Sequence, residues 1–525
     1  MTTRLPAPVY QNPILNADWP DPDAVQVDGV YYLIASSFNR VPGLPVLRSR
    51  NLVDWEHAGH ALCALPQDSH YSLVRHGSGV WAPSLRHHDG RFWIFYPDPD
   101  HGIFVLSAEK AEGPWTAPHL LYPGRGLIDP CPLWDDDGQA YLVHGWAKSR
   151  IGVKNRLTVH RMSLDATRLL DRGTHVIDGA DLPGYTTLEG PKFYKREGWY
   201  WIFAPAGGVA TGWQSVFRSR SPFGPYEERR VLEQGNTQVN GPHQGAWVTS
   251  PRGEDWFLHF QDRGPYGRVV HLQPMGWTAD GWPWMGHQSA DGGPGTPVPT
   301  HSYPAGTFAD HAVLPASDDF SSPRLGPQWH WQANPRDDWA HQCGGGHLVL
   351  TPKPNDPVNL RELPNVLGQV LPGTPSTFTT SVELQDVPVG TRAGVVVLGR
   401  QYAWLGIVRT EDGYVLGDGT GGEVPHEQRL GRKMALPGPR IELQIRTDGT
   451  PRSTFAWRSG PGKPWEVQGW NFEVVKGQWI GAELGIFATS PLGSEEGGSV
   501  IVGPVRVDVA PARRPTAPLL AAATT

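Results

Sequence analysis

One sequence unit recurs five times within roughly the first 285 residues, and this repetition limits the possible folds more than any other feature. Each unit has an anchor residue, a short apolar strand, a turn at a glycine and a second apolar strand. The anchors are Asp21, Ala82, Asp129, Glu189 and His243. In the first four units, eight or nine residues separate the anchor from the turn glycine. Repeats of about 50 residues with four short strands each are typical of a β-propeller, so five repeats predict five blades.

The rest of the chain is also predicted to be β-structure. Long amphipathic helical patterns are nearly absent, while 63 Gly and 52 Pro mark many turns, and 525 residues are too many for one ordinary core. We therefore predict an all-β chain. A five-bladed β-propeller spans residues 1–286, a Gly/Pro-rich linker 287–316, a β-sandwich of the concanavalin or jelly-roll kind 317–512, and a tail 513–525.

Charge and cysteine content exclude several classes of protein. The formal net charge of −7 and the absence of a Lys/Arg run argue against a nucleic-acid partner. The three cysteines lie far apart without CxxC spacing, which argues against a zinc-thiolate site or a disulfide framework. No apolar run reaches the roughly 18–20 residues of a membrane span, and residues 1–8 lack a signal-peptide core, so the expectation is a cytoplasmic protein without a membrane partner.

The propeller geometry brings distant anchors together. The first strand of each blade lines the central channel, so the anchors are expected at one end of that channel. Three of them are acidic, namely Asp21, Asp129 and Glu189, and a fourth is His243. Because like charges close together oppose ionisation, three converging acids are costly unless they have a task.

Paired carboxyl groups across a pocket are the minimum for glycoside hydrolysis, in which one donates a proton and the other activates water or attacks the sugar. Glu189 suits the general acid, since Leu188 and Gly190-Pro191 indicate a partly apolar and stiff setting that would raise its proton affinity. Asp21, held between two prolines, suits the base, and Asp129 would tune and orient Glu189.

Other acidic positions have structural interpretations as well. Asp23 is expected to make a structural hydrogen bond. Asp98 and Asp100 are read as loop residues near the pocket rim, with contact to substrate left open. The run 135–137 resembles a calcium loop but lacks its twelve-residue ligand set, so a solvated turn is favoured.

The ordered set of motifs resembles the family 43 glycoside hydrolases. The match covers about residues 10–286, and the later segment is similar to the β-sandwich of the family's β-xylosidases, notably at Asp319-Phe320 and 325–329. The motifs in the propeller are Pro-Asp-Pro at 20–22, Val-Trp-Ala-Pro at 80–83, Asp-Pro at 129–130, Glu-Gly-Pro at 189–191 and Gly-Pro-His-Gln-Gly at 241–245.

This resemblance implies an inverting, single-displacement mechanism with Asp21 as base, Glu189 as acid and Asp129 as pKa modulator. It further implies that Phe38 and Trp81 wall the sugar subsite, that Arg263 contacts sugar hydroxyls, with Arg268 a weaker candidate, and that His243 lies near a water-ligated Ca²⁺ or Na⁺ in the channel. A buried hydrogen-bonded histidine is the alternative for His243. No organic cofactor is implied. Cys131 and Pro132 depart from the family, where a small hydroxyl residue often follows Asp-Pro.

The favoured function is an exo-acting β-xylosidase that releases xylose or arabinose from the non-reducing ends of short plant-cell-wall oligosaccharides. An α-L-arabinofuranosidase and an exo-galactanase remain alternatives, because the acidic trio does not distinguish them. A non-catalytic carbohydrate-binding propeller is the alternative from another class, and the acidic trio argues against it. For the sandwich, an active-site wall is favoured, while carbohydrate binding and contacts in a homo-oligomer stay open.

Overall fold

The computed structural model describes residues 8–310, 312–342, 345–354, 359–423, 429–431, 434–494 and 497–510. The tail predicted for 513–525 and Cys343 lie outside the described residues.

Five antiparallel four-stranded sheets follow one another along the chain, which confirms the predicted five-bladed propeller. The strands are Asp23–Val27, Val30–Ile34, Gly43–Ser49 and Glu56–Leu62 in blade 1; Ser84–His88, Arg91–Asp98, Gly102–Ala108 and His119–Pro123 in blade 2; Leu127–Trp134, Ala140–Trp146, Arg156–Met162 and Thr174–Asp178 in blade 3; Lys192–Arg196, Trp199–Ala206, Trp213–Ser219 and Glu227–Leu232 in blade 4; and His243–Thr249, Asp255–Asp262, Arg268–Trp277 and Pro283–Met285 in blade 5.

The propeller core consists of apolar clusters between neighbouring blades. Successive side chains of a strand point to opposite faces, so one strand serves two clusters. In blade 2, Ile94 packs towards blade 1 and Phe95 towards blade 3. Leu33 of blade 1 and Leu258 of blade 5 share the cluster that joins the last blade to the first. The apolar alternation of the repeats therefore closes the ring.

A proline precedes the regular ladder of the innermost strand in every blade. The prolines are Pro22, Pro83, Pro130, Pro191 and Pro242. Proline lacks an N–H and is kept out of a central ladder, so the residue before it stays at the channel mouth and the residue after it begins the paired strand. In blade 3 the ladder is interrupted after Ile128 and resumes at Cys131. In this register, Gly190 and Gly241 occupy the position that Asp21 has in blade 1. The anchors predicted from the sequence lie close to that position but not at it: Glu189 comes just before Gly190, and His243 comes just after Pro242.

The remaining elements of the first part are short. Helices span Asp68–Tyr71 and Lys148–Ile151, with 3-10 turns at Gly179–Asp181 and Gly264–Tyr266. Within the predicted linker, Thr300–Ser302 pairs with Val9–Gln11, and Gly295 bridges to Leu232 at the edge of blade 4. Among the described residues, no helix has the length and apolar character needed to cross a bilayer.

The C-terminal part is a two-sheet sandwich, as predicted. Its core includes Phe378, Val395, Leu443 and Ile486, all fully buried between the sheets. In the described residues, one sheet contains His330–Trp331, Lys353–Pro354, Leu367–Val370, Arg392–Leu398, Gln401–Thr410, Gly413–Gly422, Arg429–Leu430, Met434–Leu436 and Glu483–Ser490. The other contains Ala340–Gln342, Leu348–Leu350, Ser376–Gln385, Arg440–Thr447, Arg452–Arg458, Glu466–Glu473, Ser499–Val502 and Arg506–Val509.

A buried ion-pair network joins the sandwich to blade 1. Arg40 pairs with Asp18 at 2.9 Å and with Glu483 at 2.6 Å, and His330 lies 3.1 Å from Glu483. Burial opposes ionisation of Glu483, but His330 and Arg40 outweigh it and hold the pKa of this carboxyl well below its ordinary value. The network fixes the start of the strand that follows the loop carrying Trp479.

Candidate active site

A cavity of about 550 Å³ lies at the end of the channel where the acidic anchors meet. It contains six of the residues predicted from sequence, namely Asp21, Phe38, Trp81, Asp129, Glu189 and Arg268. Its other lining residues include Trp146, Lys154, Gln244 and Trp479, which the sequence analysis did not single out.

Asp21 is held rigidly at the mouth of blade 1. It lies between Pro20 and Pro22, has a φ of 54°, and is buried. The Ser36 hydroxyl donates to its Oδ2 at 2.6 Å, and the Arg268 guanidinium donates to its Oδ1 at 2.6 Å. Both carboxylate oxygens are thus oriented, and Arg268 places a positive charge directly on the group.

Asp129 and Glu189 occupy adjoining positions. The backbone N–H of Gly190, the residue after Glu189, donates to Asp129 Oδ2 at 2.7 Å. Burial and then the negative charge of Glu189 raise the pKa of Asp129 to about 8. Because two close carboxylates resist joint ionisation, the pair keeps one proton at neutral pH.

Gly190 is required at this junction for two reasons. Its φ is 61°, in the left-handed region that favours glycine, and a Cβ there would lie 2.9 Å from the Gln244 side chain. The close approach of Gln244 to the backbone therefore depends on the missing side chain.

His243 supports Glu189 from the protein side. Its Nε2 lies 3.2 Å from Glu189 Oε1, while its Nδ1 is buried and has no partner among the described residues. The His243 side chain is 1% exposed, against 28% for Glu189. Glu189 is therefore the member of the pair that faces the cavity while being held from behind.

Three of the four aromatic side chains that line the cavity lie next to one another. Phe38 and Trp81 are in contact, with ring centroids 6.0 Å apart. Trp479, from the sandwich loop between Glu473 and Glu483, meets Trp81 edge to face at 5.9 Å. The Arg150 guanidinium covers the Trp81 ring at 5.2 Å. The sandwich thus contributes a wall of the cavity.

Arg263 lies elsewhere. It donates to Asn16 at 2.9 Å and lines a separate cavity of about 670 Å³ between blade 1 and the sandwich. None of Asp21, Asp129 and Glu189 lines that cavity. Arg263, the candidate that the family resemblance favoured for contact with sugar hydroxyls, thus does not line the acidic cavity, whereas Arg268, the weaker candidate, does.

The other acidic positions have structural partners. Asp98 accepts from the Tyr71 hydroxyl at 2.5 Å, and Asp100 pairs with Arg150 at 2.8 Å, so Asp100 supports the guanidinium over Trp81. Neither aspartate lines the cavity. In the 135–137 turn, Asp136 and Asp137 are exposed as expected, but Asp135 is buried against Lys195 and Tyr200.

Of the cavity residues that the sequence analysis did not single out, only some could have been found from a sequence pattern. Trp479 is separated from Trp81 by almost 400 residues, and its loop has no motif. Gln244 directly follows His243 in a motif already noted, so its position at the channel mouth was accessible from the repeat.

Comparison with known proteins agrees with this geometry. The sequence model for glycosyl hydrolases family 43 matches residues 10–283, and that for the beta xylosidase C-terminal concanavalin A-like domain matches residues 317–503. A putative beta-xylosidase of Xylanibacter ruminicola is 36% identical over 91% of this chain and 86% of its own length. A beta-xylosidase of Formosa agariphila is 31% identical over 91% and 87%.

Other similar proteins carry different names. A non-reducing end alpha-L-arabinofuranosidase of Bacteroides ovatus is 31% identical over 71% of this chain and 66% of its own length. The crystal structure of xylan beta-1,4-xylosidase from Bacillus halodurans shares the fold, with a TM-score of 0.84 at 24% identity over 95% of this chain and 99% of that chain. The match of the family model over more than half of the sequence, together with relatives aligned over nearly all of it, shows that this chain is a glycoside hydrolase of family 43.

Proposed function

We propose that the chain is an inverting, exo-acting β-xylosidase that releases xylose from the non-reducing ends of short oligosaccharides. The observation that carries this proposal is that Asp21, Asp129 and Glu189 line one cavity at the end of the channel. The two relatives aligned over 91% of the chain, both named as beta-xylosidases, support the substrate class.

In this proposal, Asp21 is the general base. Its oxygens are oriented by Ser36 and Arg268, and an ionised carboxylate so held can take a proton from the attacking water. The water attacks the anomeric carbon from the face opposite the leaving oxygen, and one displacement inverts the configuration.

Glu189 is the general acid of the proposed reaction. Its partly exposed carboxyl faces the cavity, whereas Asp129 is buried and receives the Gly190 N–H. Glu189 donates the proton kept by the pair to the departing oxygen. Asp129 acts on Glu189 through its charge and does not touch the leaving group.

The alternative activity is that of an α-L-arabinofuranosidase, and the name of the relative from Bacteroides ovatus supports it.

The test is hydrolysis of xylobiose, an aryl β-xyloside and an aryl α-L-arabinofuranoside by the wild type beside Asp21→Asn. We expect xylobiose to be cleaved, and Asp21→Asn to lower kcat by about 10²–10⁴-fold, as loss of a general base does. Asp165→Asn, at an exposed carboxylate, is the matched control and should keep full activity. Turnover of the arabinofuranoside alone would move the assignment to debranching, and an active Asp21→Asn would overturn the base.

A further inference from the structure

Lys192 is a fully buried lysine below the active site. It follows Pro191 as the first residue of the innermost strand of blade 4, and its side chain is 1% exposed. Its ammonium donates to Pro83 O at 2.7 Å and to Ser84 Oγ at 2.8 Å, and lies 3.4 Å from Asp23 Oδ2. All three hydrogens of the ammonium therefore have an oxygen within reach.

These partners fix where the ammonium lies. Pro83 and Ser84 belong to blade 2 and Asp23 to blade 1, and in a ring of five neither blade is a neighbour of blade 4. A side chain from blade 4 reaches both only by crossing the channel. The charge of Lys192 is therefore on the propeller axis, at the level where the innermost strands begin.

A second cation lies next to it. Arg86 is two residues beyond Ser84 and so points to the same face of the strand. It donates to Asp23 Oδ2 at 2.9 Å and contacts Cys131 Sγ at 2.8 Å. Arg86 also lines a cavity of about 290 Å³ with Trp134 and Trp247, residues from the far ends of the innermost strands. Two cations share the carboxylate of Asp23, which leaves one excess positive charge in the channel.

This environment does not suit a calcium ion. Ca²⁺ takes six to eight oxygen ligands from carboxylates, carbonyls and water molecules. The part of the chain that the structure describes contains no group of three His, Cys, Asp or Glu side chains able to hold a metal. His243 Nδ1 is buried without a protein partner, but it is a single nitrogen above a channel that is already positive. A cation near His243 would thus have no cluster of described protein ligands to offset its repulsion by the charges of Lys192 and Arg86.

We propose that the ammonium of Lys192 supplies the positive charge beneath the acidic pocket in place of a metal ion. Lys192 is thus a positioning residue, and this enzyme works without a metal ion in the channel. The inference rests on the proposed function for its kinetic test, because that test needs a substrate. The measurement of bound metal needs none.

The electrostatic effect of Lys192 has a definite sign. The acids nearest Asp129 are Glu189 and Asp21, with His243 behind Glu189, Arg268 on Asp21 and Lys192 below. Lys148 and Lys154 line the same cavity. Burial and the two acids raise the pKa of Asp129, and Lys192 opposes that rise. Without Lys192 the proton of the Asp129–Glu189 pair should be held more tightly, which moves its loss to higher pH.

The experiment compares Lys192→Met with Lys195→Met. Lys195 lies on the same strand and is also ion-paired, but to Asp135 at the far turn, so it matches the loss of a lysine without altering the axis. We expect Lys192→Met to lower kcat and to shift the alkaline limb of the pH profile of kcat upwards by about one pH unit. A shift of this order is expected for one unit charge several ångströms away in an effective dielectric of about 20. The limb should not move in Lys195→Met.

The metal content of the wild type is measured in parallel, after dialysis against metal-free buffer. We expect well below one divalent ion per chain and full activity in EDTA and in sodium-free buffer. One calcium per chain, or activity lost in EDTA or without sodium and restored by adding the ion, would overturn the proposal. So would an unmoved alkaline limb in a folded Lys192→Met, since a merely structural lysine would lower Tm alone. If Lys192→Met does not fold, Lys192→Gln, which keeps a donor, takes its place. A wild type inactive on every xyloside would refute the proposed function instead.

Discussion

Replacing Trp479 by Ala tests whether the sandwich forms part of the active site. Trp479 is 40% exposed and lies against Trp81 at the cavity rim. A tryptophan can bury about 250 Å², so roughly 100 Å² of this side chain is available to a sugar. At about 25 cal/mol per Å², full coverage by the substrate contributes about 2.5 kcal/mol, and half coverage about 1.2 kcal/mol.

These energies correspond to a loss of kcat/KM of roughly 8- to 70-fold on xylobiose in Trp479→Ala. Because the side chain is partly exposed, Tm should change little. The assay is initial-rate hydrolysis of xylobiose with sugar release measured by chromatography, together with thermal unfolding of each variant.

Trp465→Ala is the matched control. Trp465 belongs to the same domain, is partly buried and is covered by Arg458 at 4.5 Å, but it does not line the cavity. Its replacement should leave kcat/KM unchanged. Equal losses in both variants, or none in Trp479→Ala, would refute the reasoning that the sandwich wall contacts substrate.

Three further substitutions probe the support of the site. Arg40→Met leaves Asp18 buried without its cation and Glu483 with only His330 beside it, and should lower the free energy of unfolding by about 3–5 kcal/mol. A change below about 1 kcal/mol in chemical denaturation would contradict this. Since the pKa of Glu483 is lowered in the folded state, its contribution is complete above about pH 4.5 and is lost as the pH falls, so Glu483→Gln should flatten the dependence of Tm on pH between about 5 and 3; an unchanged slope would speak against the pairing. Gly190→Ala, with φ at 61° and Gln244 in the way, should displace the N–H that binds Asp129 and reduce kcat more than Tm, and a fully active variant would disprove that role.

The propeller could be predicted because its constraints are local. Each blade repeats an anchor, a strand and a glycine turn, and Ile94 and Phe95 follow the alternation that serves two neighbouring clusters. The convergence of Asp21, Asp129 and Glu189 was predicted from that repetition, although Glu189 lies one residue before the position that corresponds to Asp21.

The remaining features depend on contacts across the ring or between domains. Lys192 gave no signal as a lone lysine in a strand, because its partners belong to blades 1 and 2. Arg263 and Arg268 are five residues apart at the end of one hairpin, and only the 3-10 turn between them directs one to Asn16 and the other to Asp21. Trp479 reaches the cavity through the docking of a separate domain.

The central claim is a single displacement at a xylose terminus with Asp21 as base and Glu189 as acid. Proton NMR of xylobiose hydrolysis, recorded before mutarotation, tests it most directly, with Glu189→Gln run beside the wild type. The account predicts that α-xylose appears first from the non-reducing end and that Glu189→Gln releases it about 10²–10⁴-fold more slowly. Initial release of β-xylose, or an undiminished rate in Glu189→Gln, would contradict it.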